Sequence, residues 1–199
     1  MNTFNEKEYI QLCEKYKGKQ QIKDITLKIE NEQYFNYFKN AIKRDRRGEV
    51  VFCVIKDKKI ITIKSEEYPE GVFRIPTGGI DYNEDIVQAL VREVKEELGI
   101  DVKIISFKGV IKWNMYHKKQ QVKFYSYLFI LEYIKGNLLI DALENEVSEV
   151  KLCTIKELNY VSQYLLTLVS FWSDWGNFRH ETTNFVYLSL KEKNNSNKL

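Results

Sequence analysis

The chain has 199 residues and carries 31 Lys and Arg against 28 Asp and Glu, a formal net charge of +3. So small an excess gives no electrostatic pull toward nucleic acid or an anionic membrane surface, and no apolar run approaches the length of a membrane span. With 44% hydrophobic and 30% charged residues, the composition is that of a soluble globular protein, long enough for one substantial domain or for a domain with an appendage.

The start, MNTFNEKEYIQ, lacks the apolar region of a secretory signal. Cys13, Cys53 and Cys153 are odd in number and far apart, which fits reduced, buried thiols in a cytoplasmic protein. Two histidines, His117 and His180, are too few for the common zinc sites.

Along the chain, Tyr9, Ile10, Cys13 and Tyr16 have helical spacing within residues 5–17, and Gly18 is placed to break that helix. Residues 20–29 alternate through Ile25, Leu27 and Ile29 as a strand. Tyr34, Phe35, Tyr37 and Phe38 form an aromatic helical connection, and Lys43, Arg44, Arg46 and Arg47 come next as a basic cluster. No flexible linker separates residues 1–45 from the rest of the chain, so they read as an extension packed on a main domain over 46–190, with a frayed polar tail at 191–199.

EVVFCVIK (49–56) reads as a buried strand that turns at Asp57–Lys58 into KIITIK (59–64). Residues 102–115 and 121–134 read as two long strands around a turn at 117–120, with a further strand at 149–154 and a helix beginning at Thr154. The apolar spacing from Leu158 to Phe171 predicts one helix over 157–174, ahead of an aromatic-rich segment. This order predicts a mixed sheet between helices.

The most informative stretch is Gly78–Ile100, GGIDYNEDIVQALVREVKEELGI. It reads as a glycine-rich loop, capped by Asp81 or Asn83, running into a helix that Gly99 ends. Positions three and four apart share a helix face, so Glu93, Glu96 and Glu97 project together, opposite an apolar stripe of Val87, Leu90, Val91, Val94 and Leu98. Three like charges so close repel one another. A hard divalent cation such as Mg²⁺, which prefers oxygen ligands, would offset that repulsion.

The same residues resemble the Nudix box at every fixed position: Gly78, Glu84, Arg92, Glu93, Val94, Glu96, Glu97, Gly99 and Ile100. The resemblance covers 23 of the 199 residues. It implies an α/β fold, the Nudix α/β/α sandwich with a mixed sheet, here with an N-terminal helix and strand and with C-terminal helices added. It further implies Mg²⁺ (or Mn²⁺) held by Gly78, Glu93, Glu96 and Glu97, hydrolysis of a diphosphate in a nucleoside diphosphate linked to another group, and a small nucleotide as partner. On this basis Glu97 is the first candidate to hold the metal that bears the nucleophile or to act as base, Arg92 orients a carboxylate, and Glu84 fixes the loop.

One further acid is expected outside the box, and Glu146 is preferred over Glu144 and Glu149 for that role. Arg74, Trp113 and Tyr116 are candidates for substrate contact; Trp172, Trp175 and Phe178 are read first as packing, then as a cleft wall or dimer interface. Two rival readings remain: a non-catalytic nucleotide-sensing module, and an RNA 5′-end pyrophosphohydrolase that uses the basic cluster. A homodimer is compatible with all of these.

Overall fold

The fold, taken from a computed structural model, is described for residues 3–16, 19–144 and 146–196, the last four as backbone alone. Gly18 and the end of the polar tail lie outside the described residues. The elements are α1 (Glu6–Lys15), β1 (Gln21–Lys28), α2 (Glu32–Arg44), β2 (Arg46–Lys56), β3 (Lys59–Lys64), β4 (Thr77–Asp81), α3 (Ile86–Leu98), β5 (Asp101–His117), β6 (Gln120–Lys135), β7 (Glu149–Cys153), α4 (Ile155–Leu165) and α5 (Trp172–Ser196).

β2 is the central strand, because its residues from Gly48 to Val54 are buried on both faces. One edge pairs in parallel with β6. The other edge is shared, antiparallel to β4 along Arg46–Val51 and to β3 at Ile55–Lys56. The sheet runs β1-β5-β6-β2-β3-β7, with β4 added on β2. β1 lies parallel to β5, Gln21 to Lys28 opposite Gly109 to Tyr116, so the N-terminal strand belongs to the same sheet.

Successive β2 residues point to opposite faces, and each face carries its own core. Val50, Phe52 and Val54 pack with Leu12 of α1 and with Leu90, Val94 and Leu98 of α3. Val51 and Cys53 pack with Phe35 of α2, Leu158 of α4 and Phe178 of α5. The chain is therefore a mixed sheet between two helical layers, the expected α/β/α sandwich. Among the described residues no helix is long and apolar enough to cross a membrane.

Local chemistry explains several boundaries. Asp57 and Lys58 have φ of 51° and 62°, the left-handed pair that turns a two-residue hairpin with the twist of its strands. Thr154 and Glu157 form a reciprocal capping box at the start of α4. Gly99 sits at φ 71° and closes α3 with its N–H on the Lys95 carbonyl.

The structure corrects four expectations. The start of the glycine-rich stretch is not a loop: Thr77–Asp81 is strand β4, paired with β2. Helix α3 is capped by Asp85, whose carboxylate accepts from the Val87 and Gln88 N–H groups, and not by Asp81 or Asn83. The apolar stripe is rotated from its expected position. Val91 is 54% exposed, while Glu93 and Glu97 are buried beside Ala89, Leu90, Val94 and Leu98. The single helix expected over 157–174 is two helices. α4 ends at Leu165, the Thr167 hydroxyl bonds back to the Tyr164 carbonyl, and Ser170 takes φ 56° before α5 begins.

Candidate active site

The site forms where α3 crosses β4. The second half of α3 carries Arg92, Glu93, Glu96 and Glu97, and the register of β4 against β2 sets Gly78 beneath them. A Cβ at Gly78 would lie 2.1 Å from the Glu93 Cγ, so the glycine is what admits the Glu93 side chain. At Gly79 a Cβ would lie 2.6 Å from Nε of Arg46, which places the Arg46 side chain against this end of the strand.

Arg92 holds the carboxylates in position. Its Nε and Nη2 donate to the two oxygens of Glu84, both at 2.8 Å, a bidentate pair. Its Nη1 donates to Glu93 at 2.9 Å and to Glu96 at 2.7 Å, and Nη2 also reaches the Gly79 carbonyl at 3.0 Å. The hydrogen bonds from Arg92 hold the Glu84 carboxyl below the usual range. Glu84 also accepts from the Asp81 N–H, so one side chain ties the β4–α3 turn to the helix.

Glu97 is held differently. It is 3% exposed, and its Oε2 is buried with no hydrogen-bond partner. Burial pushes its carboxyl up to about 8; Glu93 and Glu146 add to the rise, and Arg74 and Arg179 oppose it. Burial raises Glu93 as well, against the pull of Arg92. A buried acceptor without a donor costs about 1–3 kcal/mol, so this atom is kept at the expense of stability.

These groups open on a cleft of about 980 Å³. The loop after β6 forms one of its edges, because the Leu143 and Glu144 N–H groups both donate to the Glu96 carbonyl. Glu144 and Glu146 line the cleft, whereas Glu149 sits on β7 opposite Lys64 and does not. Arg74 lines it too, but from below: it is 7% exposed and donates to the Tyr68 hydroxyl, the Ile75 carbonyl and the Thr77 hydroxyl.

Trp113 and Tyr116 are not brought to the cleft. Trp113 is 1% exposed, packs on Phe178 and donates to the Ser126 hydroxyl, and Tyr116 lies at the far end of β5 opposite Gln121. Trp172 and Trp175 border the cleft, while Phe178 is wholly in the core.

Two groups that the sequence reading missed stand at the cleft floor. Glu49 of β2 is 3% exposed and accepts from Ser126 at 2.7 Å and from Nη1 of Arg179 in α5 at 2.9 Å. The only signal for Glu49 in the sequence is a carboxylate opening a strand that is otherwise apolar, and Arg179 is hidden in an aromatic-rich run.

The donor set fits a hard divalent cation: carboxylate and carbonyl oxygens only, one of them the unpartnered Oε2 of Glu97. Glu93 and Glu96 each give one oxygen to Arg92 and keep the other without a protein hydrogen bond among the described residues. No three carboxylates of the described residues converge into a ready-made cation cage. Arg92 stands among Glu84, Glu93 and Glu96 and offsets their mutual repulsion.

Carboxylates and arginines thus share one cleft on an α/β/α sandwich. A family model described as NUDIX domain matches residues 46–192. An ADP-ribose pyrophosphatase of Methanocaldococcus jannaschii is 33% identical over 122 residues, 61% of this chain and 68% of that protein. Nudix hydrolase 10 of Arabidopsis thaliana is 41% identical over 66 residues, 33% of this chain and 22% of the plant protein. An NAD-capped RNA hydrolase NudC of Vibrio atlanticus is 28% identical over 95 residues, 48% of this chain and 33% of that protein. Among solved structures, a NUDIX hydrolase from Nitrosomonas europaea aligns with a TM-score of 0.48 at 18% identity, over 58% of this chain and 76% of that one. The chain belongs to the Nudix hydrolase family, enzymes that act on pyrophosphate bonds.

Proposed function

We propose that this protein hydrolyses the diphosphate of a small nucleoside diphosphate linked to another moiety, with Mg²⁺ or Mn²⁺ as cofactor, in the cytoplasm. The observation that carries this reading is the buried, unpartnered Oε2 of Glu97 beside Glu93 and Glu96 in one cleft. Glu93, Glu96, Glu97 and the Gly78 carbonyl would hold the cation. When bound, it supplies charge neutralisation at the phosphoryl oxygens and activation of water.

The chain's own residues do the rest. Arg92 fixes the orientation of Glu93 and Glu96. Glu97 would either hold the metal that bears the nucleophile or, as the base, take up the proton that water loses. Glu146 is the preferred outer acid, since it lines the cleft and Glu149 does not. Arg74 supports the site from beneath with positive charge. The three cysteines are unpaired, as a reducing compartment would keep them.

An RNA 5′-end substrate is the second reading. It called on Lys43, Arg44, Arg46 and Arg47, but Arg44 is paired with Asp45, and Arg47 is paired with Glu8. A small nucleotide is therefore preferred. The deciding experiment is an activity screen with and without Mg²⁺ over ADP-ribose, dinucleoside polyphosphates, nucleotide sugars and (d)NTPs, with product identification. Turnover that requires the metal, and that falls roughly 10²–10⁴-fold in Glu97→Gln, supports the reading. Near-normal turnover in that variant would remove Glu97 as the base.

A further inference from the structure

Arg179 is a buried-site arginine with most of its donors unspent. It reaches the cleft floor from α5, and its side chain is 14% exposed. A guanidinium has five N–H donors in a planar fork. Here Nη1 gives a bond to Glu49 Oε2 at 2.9 Å, and that is the only hydrogen bond found for this side chain among the described residues. Nε is buried without a partner. Nη2, which is not buried in this way, has no acceptor among the described residues and is the donor left to face the cleft.

The mounting of this arginine is equally specific. Glu49 accepts from the Ser126 hydroxyl at 2.7 Å, and Ser126 accepts from Nε1 of Trp113 at 2.9 Å. Behind the guanidinium, the Phe178 ring centroid lies 4.9 Å from its central carbon. A chain of buried hydrogen bonds from β5 through β6 and β2 therefore fixes one carboxylate, and that carboxylate fixes one arginine. An arginine with Nη1 pinned and Nη2 unspent at a cleft wall is arranged to meet an anion.

We propose that Arg179 donates from Nη2 to a non-bridging oxygen of one substrate phosphate, with Glu49 as the positioning residue that holds it there. This makes the C-terminal helix part of the substrate site, at a residue 80 positions beyond Gly99, the last glycine of the family motif. The proposal rests on the hydrolase reading above.

The test measures binding of α,β-methylene-ADP, in which carbon replaces the bridging oxygen, by calorimetry in Mg²⁺, beside melting curves without the probe and steady-state kinetics on the best substrate of the screen. Arg179→Lys keeps a charge for Glu49 but has one nitrogen, so it cannot hold Glu49 and donate from a second, fixed nitrogen to the phosphate. Its Kd for the probe should rise roughly 10-fold, the loss of one charge-assisted hydrogen bond, with the kinetic loss falling mainly on KM. Glu49→Gln combined with Arg179→Met removes both charges together, a change that buried ion pairs tolerate far better than loss of one partner. It decides the matter where the lysine variant does not fold, and its Kd should rise roughly 100-fold.

A folded variant with altered melting and a Kd within twofold of wild type would make Arg179 purely structural and overturn the proposal. Wild-type protein that neither binds the probe nor hydrolyses any diphosphate would overturn the hydrolase reading and this assignment with it. Wild-type turnover together with an indifferent Arg179 would overturn the assignment alone.

Discussion

Glu97→Gln should stabilise the metal-free protein while it abolishes most turnover. The Glu97 carboxyl is 3% exposed, and burial lifts it from the usual 4.5 to about 8. A group raised in the folded state stabilises the fold below its unfolded pKa, and that contribution is lost as pH climbs through the folded value. The window here is therefore about 4.5 to 8. At 1.36 kcal/mol per pH unit, the proton held by Glu97 makes the metal-free protein about 3 kcal/mol less stable at pH 7 than at pH 4 on this group's account. Glutamine keeps the shape and does not titrate. The variant should match wild type near pH 4 and exceed it by about 3 kcal/mol at pH 7, a shift on the order of 6–12 °C for a chain of this size. Urea unfolding in EDTA at pH 4, 5.5, 7 and 8 measures this directly. Parallel stability profiles for the two proteins across that range would refute the reasoning. The same experiment in Mg²⁺ should erase the advantage, because ligands of the folded state stabilise it by mass action and the variant lacks one of them.

Gly78→Ala places a methyl 2.1 Å from the Glu93 Cγ, so Glu93 must move. The expected cost is about 1–3 kcal/mol in stability, with turnover falling at least roughly 10²-fold as the carboxylate leaves its position; wild-type kinetics would show that Glu93 is not needed where it sits. Of the acids in the late loop, Glu146→Gln should lower turnover by roughly 10²-fold or more, while Glu149→Gln, outside the cleft, should stay within twofold. The reverse ranking would move the outer acid to β7.

The carboxylate half of the candidate site was legible in the sequence because it is local. Glu93, Glu96 and Glu97 fall on one helix, and the 3.6-residue period alone brings them together. What that period could not supply was the angle at which the helix meets the sheet. Val91 and Glu93 are two residues apart, and only the packing of α3 against β4 decides that the valine faces solvent and the glutamate the interior. The same holds for α4 and α5. Apolar spacing runs unbroken from Leu158 to Phe171, yet Leu166 and Val169 are exposed in a turn, because the chain must reverse there to lay α5 over the sheet. Trp113 and Tyr116, candidates for substrate contact from the sequence, lie away from the cleft. In a long strand successive residues face opposite sides, and the face that takes Trp113 packs on Phe178 in the core.

The floor of the cleft was illegible for a different reason. Glu49 and Arg179 are 130 residues apart, and nothing near either of them marks it as paired. A buried carboxylate and a buried guanidinium are each costly alone, so each is intelligible only with its partner in view. Their joint burial at the edge of the anion site is harder to explain as stability, since a well-packed neutral pair would serve the core as well or better. The proposed role of Arg179 toward a substrate phosphate would account for keeping them. With Arg179 on a phosphate as proposed, the distant pair, brought in by β2 and α5, would bear on which molecule the box glutamates act on.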